Sequence, residues 1–217
     1  MKYVVILAVV VALRLLLYPL LKRLFALLFA GTAVQVALRD AGKSALAKQP
    51  DRIVLVHRDL RSTRVDPAMT QYADPLFTRG FQEAGLFEVR ELPGVLVRFL
   101  VKPSEGVIAA ICTHPRGGVW LDCITYYADG RSATFSTHPP HGLDPRPGHV
   151  VTHLPGTHAL GLYERFIRER PKGVFRPAMP DDAAPQFERA WAEGIAWRKQ
   201  KGISPGEVVE VAQRRAS

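Results

Sequence analysis

The sequence predicts an α+β fold: an N-terminal transmembrane helix, then a domain with a mainly antiparallel meander sheet of about six strands packed by helices. Three observations carry this prediction. Residues 3–21 hold one charged side chain, Arg14, in nineteen positions. Residues 86–154 read as short apolar runs separated by turn-forming clusters such as Asp129-Gly130. Residues 157–201 carry apolar side chains at the three- and four-residue spacing of helices.

Residues 1–38 read as a membrane anchor. About 20 apolar residues span a bilayer as a helix, because each rises about 1.5 Å. Arg14 costs roughly 2.5–3.5 kcal/mol at the centre of such a helix, which its aliphatic neighbours offset and snorkelling reduces. After Lys22-Arg23 comes a second uncharged run, Leu24–Leu38, which is short for a crossing. It reads as an interfacial helix, as a continuation beyond a kink at Pro19, or as the second leg of a hairpin. A cleaved signal peptide fits less well: Arg14 and more leucines, not a small-x-small site, follow the apolar core Tyr3–Leu13. Lys22, Arg23, Arg39, Lys43 and Lys48 follow the span and only Lys2 precedes it, so a single-pass signal-anchor puts the domain on the cytoplasmic side. With two crossings the domain lies on the external face.

Residues 39–52 read as a polar linker, 53–171 as the α+β domain and 172–217 as a C-terminal helical extension. Ile53–His57 is a short strand. Asp66-Pro67 and Asp74-Pro75 both have the form of an N-cap followed by Pro at the first helical position. The second predicts a helix through Ala84, with Phe77, Phe81 and Ala84 on one face and Gly85 as its stop. Strands follow at about 86–91, 95–102, 107–114, 119–128, 132–138 and 149–154. A helix capped by Thr157 carries Leu162, Tyr163, Phe166 and Ile167 on one face and ends at Pro171. The next covers about 183–201, with Phe187, Trp191 and Ile195 inward. Ser204-Pro205-Gly206-Glu207 is a capping box for a last helix.

Simple hairpins at the turns fix a register. They make Lys102 face Val107, His114 face Val119 and Ala128 face Arg131. One sheet face then carries Val97, Phe99, Ile108, Cys112, Leu121, Cys123 and Ser136 and is nearly pure core. The other is mixed and aromatic, with Arg98, Ile111, Trp120, Asp122, Tyr126 and Phe135. Arg98 and Asp122 flank Ile111 and predict an ion pair. The turn at Pro93-Gly94 does not fit the scheme and predicts a bulge or an irregular connection.

The net charge of +9 would suggest nucleic acid or an anionic membrane, but its distribution speaks against nucleic acid. Residues 1–48 hold seven basic residues and one acid, Asp40; the other 169 residues hold 22 basic and 19 acidic, a balance of only +3. Two cysteines exclude a disulfide-built scaffold and read as buried, diagonal neighbours on the core face. No GxGxxG, P-loop, HExxH, GxSxG or CxxC motif occurs. The sharpest chemical feature is a Thr-His-(x)-Pro pattern at strand ends. It groups His114, His138 and His141, with His149, along one sheet edge, where imidazoles could bind zinc. Neutral histidines hydrogen-bonded at strand ends explain the pattern without a metal.

The order of strands and helices resembles that of helix-grip folds, which hold hydrophobic ligands. The expected function is therefore that of a membrane-anchored, non-catalytic binding domain for a protein partner or an apolar ligand, without cofactor. Its binding residues would be Arg98, Trp120, Asp122 and Tyr126. The alternatives are a metal-dependent membrane enzyme using the histidine edge, and an accessory subunit of a membrane complex.

Overall fold

The computed structural model describes residues 34–140 and 142–216. The predicted span at 3–21 lies outside them, as do residues 24–33 of the second apolar run. Among the described residues no helix is long and apolar enough to cross a membrane.

The chain divides into two compact units, Leu46–Gly202 on the one hand and residues up to Ala45 with Ile203 onward on the other. The first unit is built on a seven-stranded sheet whose spatial order is its chain order. Its strands are β1 (Leu55–Arg58), β2 (Gln82–Val89), β3 (Leu96–Lys102), β4 (Val107–His114), β5 (Gly118–Tyr126), β6 (Ser132–Ser136) and β7 (His149–His153). All neighbours are antiparallel except β6 and β7, which run parallel. The helices are α1 (residues 34–47), α2 (Pro67–Phe77), α3 (Ala159–Glu169), α4 (Pro180–Lys201) and α5 (Pro205–Ala216). The fold class is thus α+β with a mostly antiparallel sheet.

The first Asp-Pro signal, not the second, opens a helix. The Asp66 carboxylate accepts the Ala68 N–H at 2.8 Å, and Pro67 occupies the first turn, where no donor is lost. Pro75 falls near the end of α2, and Gly80 (φ +80°) turns the chain. The predicted continuation to Ala84 is a strand instead. Residues 82–89 form ladders with β1 and β3 together, and this pairing outweighs the helical spacing of Phe77, Phe81 and Ala84. The expected capping box is present: Ser204 N–H donates to Glu207 Oε2 at 2.9 Å, and Glu207 N–H donates to Ser204 Oγ at 3.2 Å.

Both faces of the sheet are filled. On one, Leu86, Leu100, Ile111, Leu121, Cys123 and Phe135 pack against Met69 and Leu76 of α2 and Leu162 and Phe166 of α3. On the other, Val97, Phe99, Ile108, Cys112 and Ile124 pack against Ala183, Ala184, Phe187 and Trp191 of α4. Helix α4, read from sequence as part of the C-terminal extension, belongs to the same compact unit as the sheet. Helices on both faces also part this fold from a sheet wrapped round one helix.

The β3–β4 register is the predicted one, Lys102 facing Val107. The next two hairpins each slip by one residue: His114 faces Gly118, and Tyr126 faces Ser132. The cause lies in left-handed glycines. Gly118 (φ +71°) shortens the first loop to residues 115–117, whereas Gly130 (φ +85°) ends a loop lengthened to residues 128–130, closed by Tyr127 N–H to the Arg131 carbonyl at 2.9 Å. Because a one-residue slip reverses a strand, β5 is turned over. Leu121 and Cys123 face α2 and α3, while Trp120, Asp122, Ile124 and Tyr126 face the α4 side. The second slip restores β6 to its predicted face. The irregular Pro93-Gly94 turn is accompanied by a register shift between Glu83 and Gly85.

Candidate functional site

The reversal of β5 separates the predicted pair. Arg98 lies on the α2/α3 side and binds Glu83 through Nε at 3.1 Å and Nη2 at 2.7 Å. Asp122 lies on the opposite side, in a row with Ser136 of β6 and His153 of β7. Its Oδ2 accepts the Trp120 indole N–H at 3.1 Å, whereas its Oδ1 is hidden from solvent and has no hydrogen-bond partner among the described residues. Burial raises the Asp122 carboxyl above the usual carboxylate range; Ser136, Trp120 and the imidazoles of His138 and His153 oppose it.

The histidines also part company. Since β7 runs parallel to β6, its first residue lies beside the start of β6, so His149 stands at the other end of the sheet from His114 and His138. His153 takes the place predicted for His149, beside His138. His141 lies outside the described residues. Each described imidazole has a local partner. His114 Nδ1 accepts the N–H groups of Arg116 and Gly117 at 3.1 Å. His138 Nδ1 lies 2.6 Å from the Pro139 carbonyl, and its ring meets Trp120 edge-on at 5.0 Å. His153 Nδ1 lies 2.8 Å from the His138 carbonyl. Among the described residues no three His, Cys, Asp or Glu side chains are grouped to hold a metal ion. Cys112 and Cys123, predicted on one face, lie on opposite faces. Burial, then the charge of Asp122, raises both thiols, so neither supplies a thiolate near neutral pH.

A cluster of polar and charged groups lies at the β5–β6 hairpin. There a cavity of about 150 Å³ is lined by Tyr126, Arg131, Arg146, His149, Arg176 and Arg189, with Gln186 and Glu193 on its α4 wall. Four segments supply the four guanidinium groups. Arg131 follows the hairpin glycine, Arg146 precedes β7, and Arg189 comes from α4. Arg176 comes from the 172–179 segment, which adds to the end of β5 like a short strand. There Ala128 N–H donates to the Val174 carbonyl and Arg176 N–H to the Tyr126 carbonyl, both at 2.8 Å. Phe175 between them packs on Gly106, where a Cβ would lie 2.3 Å from its ring, and the Arg170 guanidinium stacks over it at 5.4 Å. A glycine is therefore required at position 106, and it sets the path that delivers Arg176.

The charges around this cavity do not balance. Arg131 pairs with Asp129 at 2.7 Å and Arg146 with Glu193 at 3.1 Å, both near the surface. Arg176 and Arg189 have no ion pair among the described residues. Burial and then the neighbouring Arg146 lower the His149 pKa, with Glu193 opposing; the ring is neutral at pH 7, its Nδ1 2.7 Å from Ser132 Oγ. Burial raises the Tyr126 phenol, which keeps its proton and can donate it to a ligand.

Tyr126 is the one predicted binding residue that enters this cavity. Trp120 and Asp122 share its sheet face nearer the His138 end, and Arg98 is on the other face. The arginines give no sequence signal, because they are spread from position 131 to 189 at no diagnostic spacing. Only the parallel pairing of β7 and the strand-like 174–176 segment bring them together. Comparison of the chain with protein-family models, with curated proteins and with solved structures finds no match.

Proposed function

We propose that the chain is a membrane-anchored α+β module that acts by binding, not by catalysis, and that its ligand is anionic and enters the arginine-lined cavity. The observation that supports this most is the convergence of Arg131, Arg146, Arg176 and Arg189 on one cavity floored by Tyr126 and His149. Guanidinium groups hold their protons throughout the physiological range, so they suit the holding of an anion and not proton transfer. The apolar-ligand version of the reading is the weaker one, since side chains from α2, α3 and α4 occupy both sheet faces. The membrane part rests on residues 3–21 and on the basic residues that follow them. In this reading the domain is cytoplasmic and the bilayer is its first partner.

Two measurements on the full chain test the proposal. In membranes, the protein stays in the pellet through high salt and alkaline carbonate, because an apolar anchor does not respond to ionic strength. Release by carbonate would contradict the anchor. In detergent, sulfate raises the unfolding temperature of the wild type more than that of an Arg176→Gln, Arg189→Gln variant, which shares sulfate's general stabilisation but not the linkage. Equal sulfate effects on the two proteins would contradict the binding site.

A further inference from the structure

We infer that the arginine cavity is specific for a phosphate monoester, held as its dianion. This rests on the binding reading above and names the ligand class. The charge around the cavity favours a dianion. Arg131, Arg146, Arg176 and Arg189 bring four positive charges, Asp129 and Glu193 return two, and His149 is neutral, leaving +2 around a space of about 150 Å³. A dianion neutralises this; a monoanion leaves half of it, and like charges that converge without a counter-ion repel.

Geometry points the same way. The cationic groups approach from the hairpin, from the loop before β7, from the 174–176 segment and from α4, not from one side. A planar carboxylate is satisfied by one or two guanidinium forks. A phosphate monoester presents three terminal oxygens in a tetrahedral array and can accept from several forks and from the Tyr126 hydroxyl together. A phosphodiester has two such oxygens and a single charge, which also argues against a nucleic-acid backbone. The ester substituent leaves through the open mouth of the cavity beside the exposed Arg176 and Arg189. The phosphoryl group can thus belong to a soluble metabolite or to a lipid headgroup.

The test uses the full chain in phosphatidylcholine nanodiscs and follows thermal unfolding. One arm adds glycerol 3-phosphate, and a second adds dimethyl phosphate at matched ionic strength. A third arm replaces part of the lipid with phosphatidic acid. The inference predicts stabilisation by glycerol 3-phosphate if the source is soluble, or by phosphatidic acid alone if it is a lipid, and none by dimethyl phosphate beyond ionic strength. An Arg176→Gln, Arg189→Gln double variant loses affinity by about a hundred-fold, since each charged hydrogen bond lost removes about ten-fold. Both side chains are exposed and have no ion pair among the described residues, so the unliganded variant unfolds at or above the wild-type temperature, which separates lost binding from lost folding. An Arg189→Lys variant, which keeps the charge and loses the fork, falls between. Equal stabilisation by monoester and diester, or undiminished stabilisation in the double variant, would overturn the inference. Sulfate binding that the double variant abolishes, without preference for the monoester, would overturn the inference alone and leave the anion-binding proposal standing.

Discussion

Asp122 shows how one residue's surroundings translate into a measurable dependence on pH. It sits mid-strand beside Trp120, Ser136 and two imidazoles, with Oδ1 unpartnered among the described residues. Burial is the largest influence on it and favours the neutral acid. A carboxyl whose folded pKa stands above its unfolded value of about 3.8 binds its proton more tightly in the native state. Its contribution to stability is fully present below the unfolded pKa and is lost as pH rises through the folded one. Asp122→Asn removes this titration. The stability of wild type relative to that variant therefore falls as pH rises from the unfolded value of about 3.8 through the higher folded one, as read from urea unfolding across pH. A rise instead would mean that His138 and His153 hold the carboxylate ionised. The residue types in this row were legible in the sequence as a mixed face. Their company was not, because it depends on which way β5 faces.

At the scale of elements, most strand positions, the β3–β4 register, a helix ending at Lys201 and the Ser204 capping box follow from local chemistry, and the sequence shows them; the start of β2 at residues 82–84, which reads as helix, is the exception. The two later hairpins do not, since Pro115-Arg-Gly-Gly118 and Asp129-Gly130 each allow loops differing by one residue. The left-handed glycine decides, and it acts on φ, which no side-chain pattern reports. The one-residue slip at the β4–β5 turn alone moved Asp122 to the face opposite Arg98. A double-mutant cycle on Arg98 and Glu83 then gives a coupling of about 0.5–3 kcal/mol, while one on Arg98 and Asp122 gives none. Coupling in the second cycle would restore the simple hairpin register. Leu121→Ala costs about 2–5 kcal/mol, because it opens a cavity between β5 and helices α2 and α3. Gly106→Ala tests the strut under the arginine cavity. The substitution forces strain at φ +61° and displaces Phe175, costing about 1–3 kcal/mol and weakening sulfate binding through Arg176. Loss of stability with unchanged sulfate affinity would show that Arg176 does not depend on this packing.

For the whole molecule, the parallel β6–β7 pairing is the feature that gathers the arginines. An antiparallel seventh strand would have placed His149 beside His138 and built the histidine edge that the sequence suggests. The parallel strand instead sends Arg146 and His149 to the hairpin end, where α4 and the 174–176 segment bring Arg189 and Arg176. Charge that looks evenly spread along residues 49–217 is thereby gathered at one place. On the proposal above, the ligand is held at this place. Hydrogen–deuterium exchange of the full chain in detergent, with and without sulfate at constant ionic strength, measures it directly, because short-time exchange reports local opening segment by segment. Sulfate is predicted to protect residues 126–131, 146–149, 174–176 and 186–193 and to leave the Trp120–His138 end of the sheet unchanged. Protection confined to that other end, or no segment protected at all, would contradict the account.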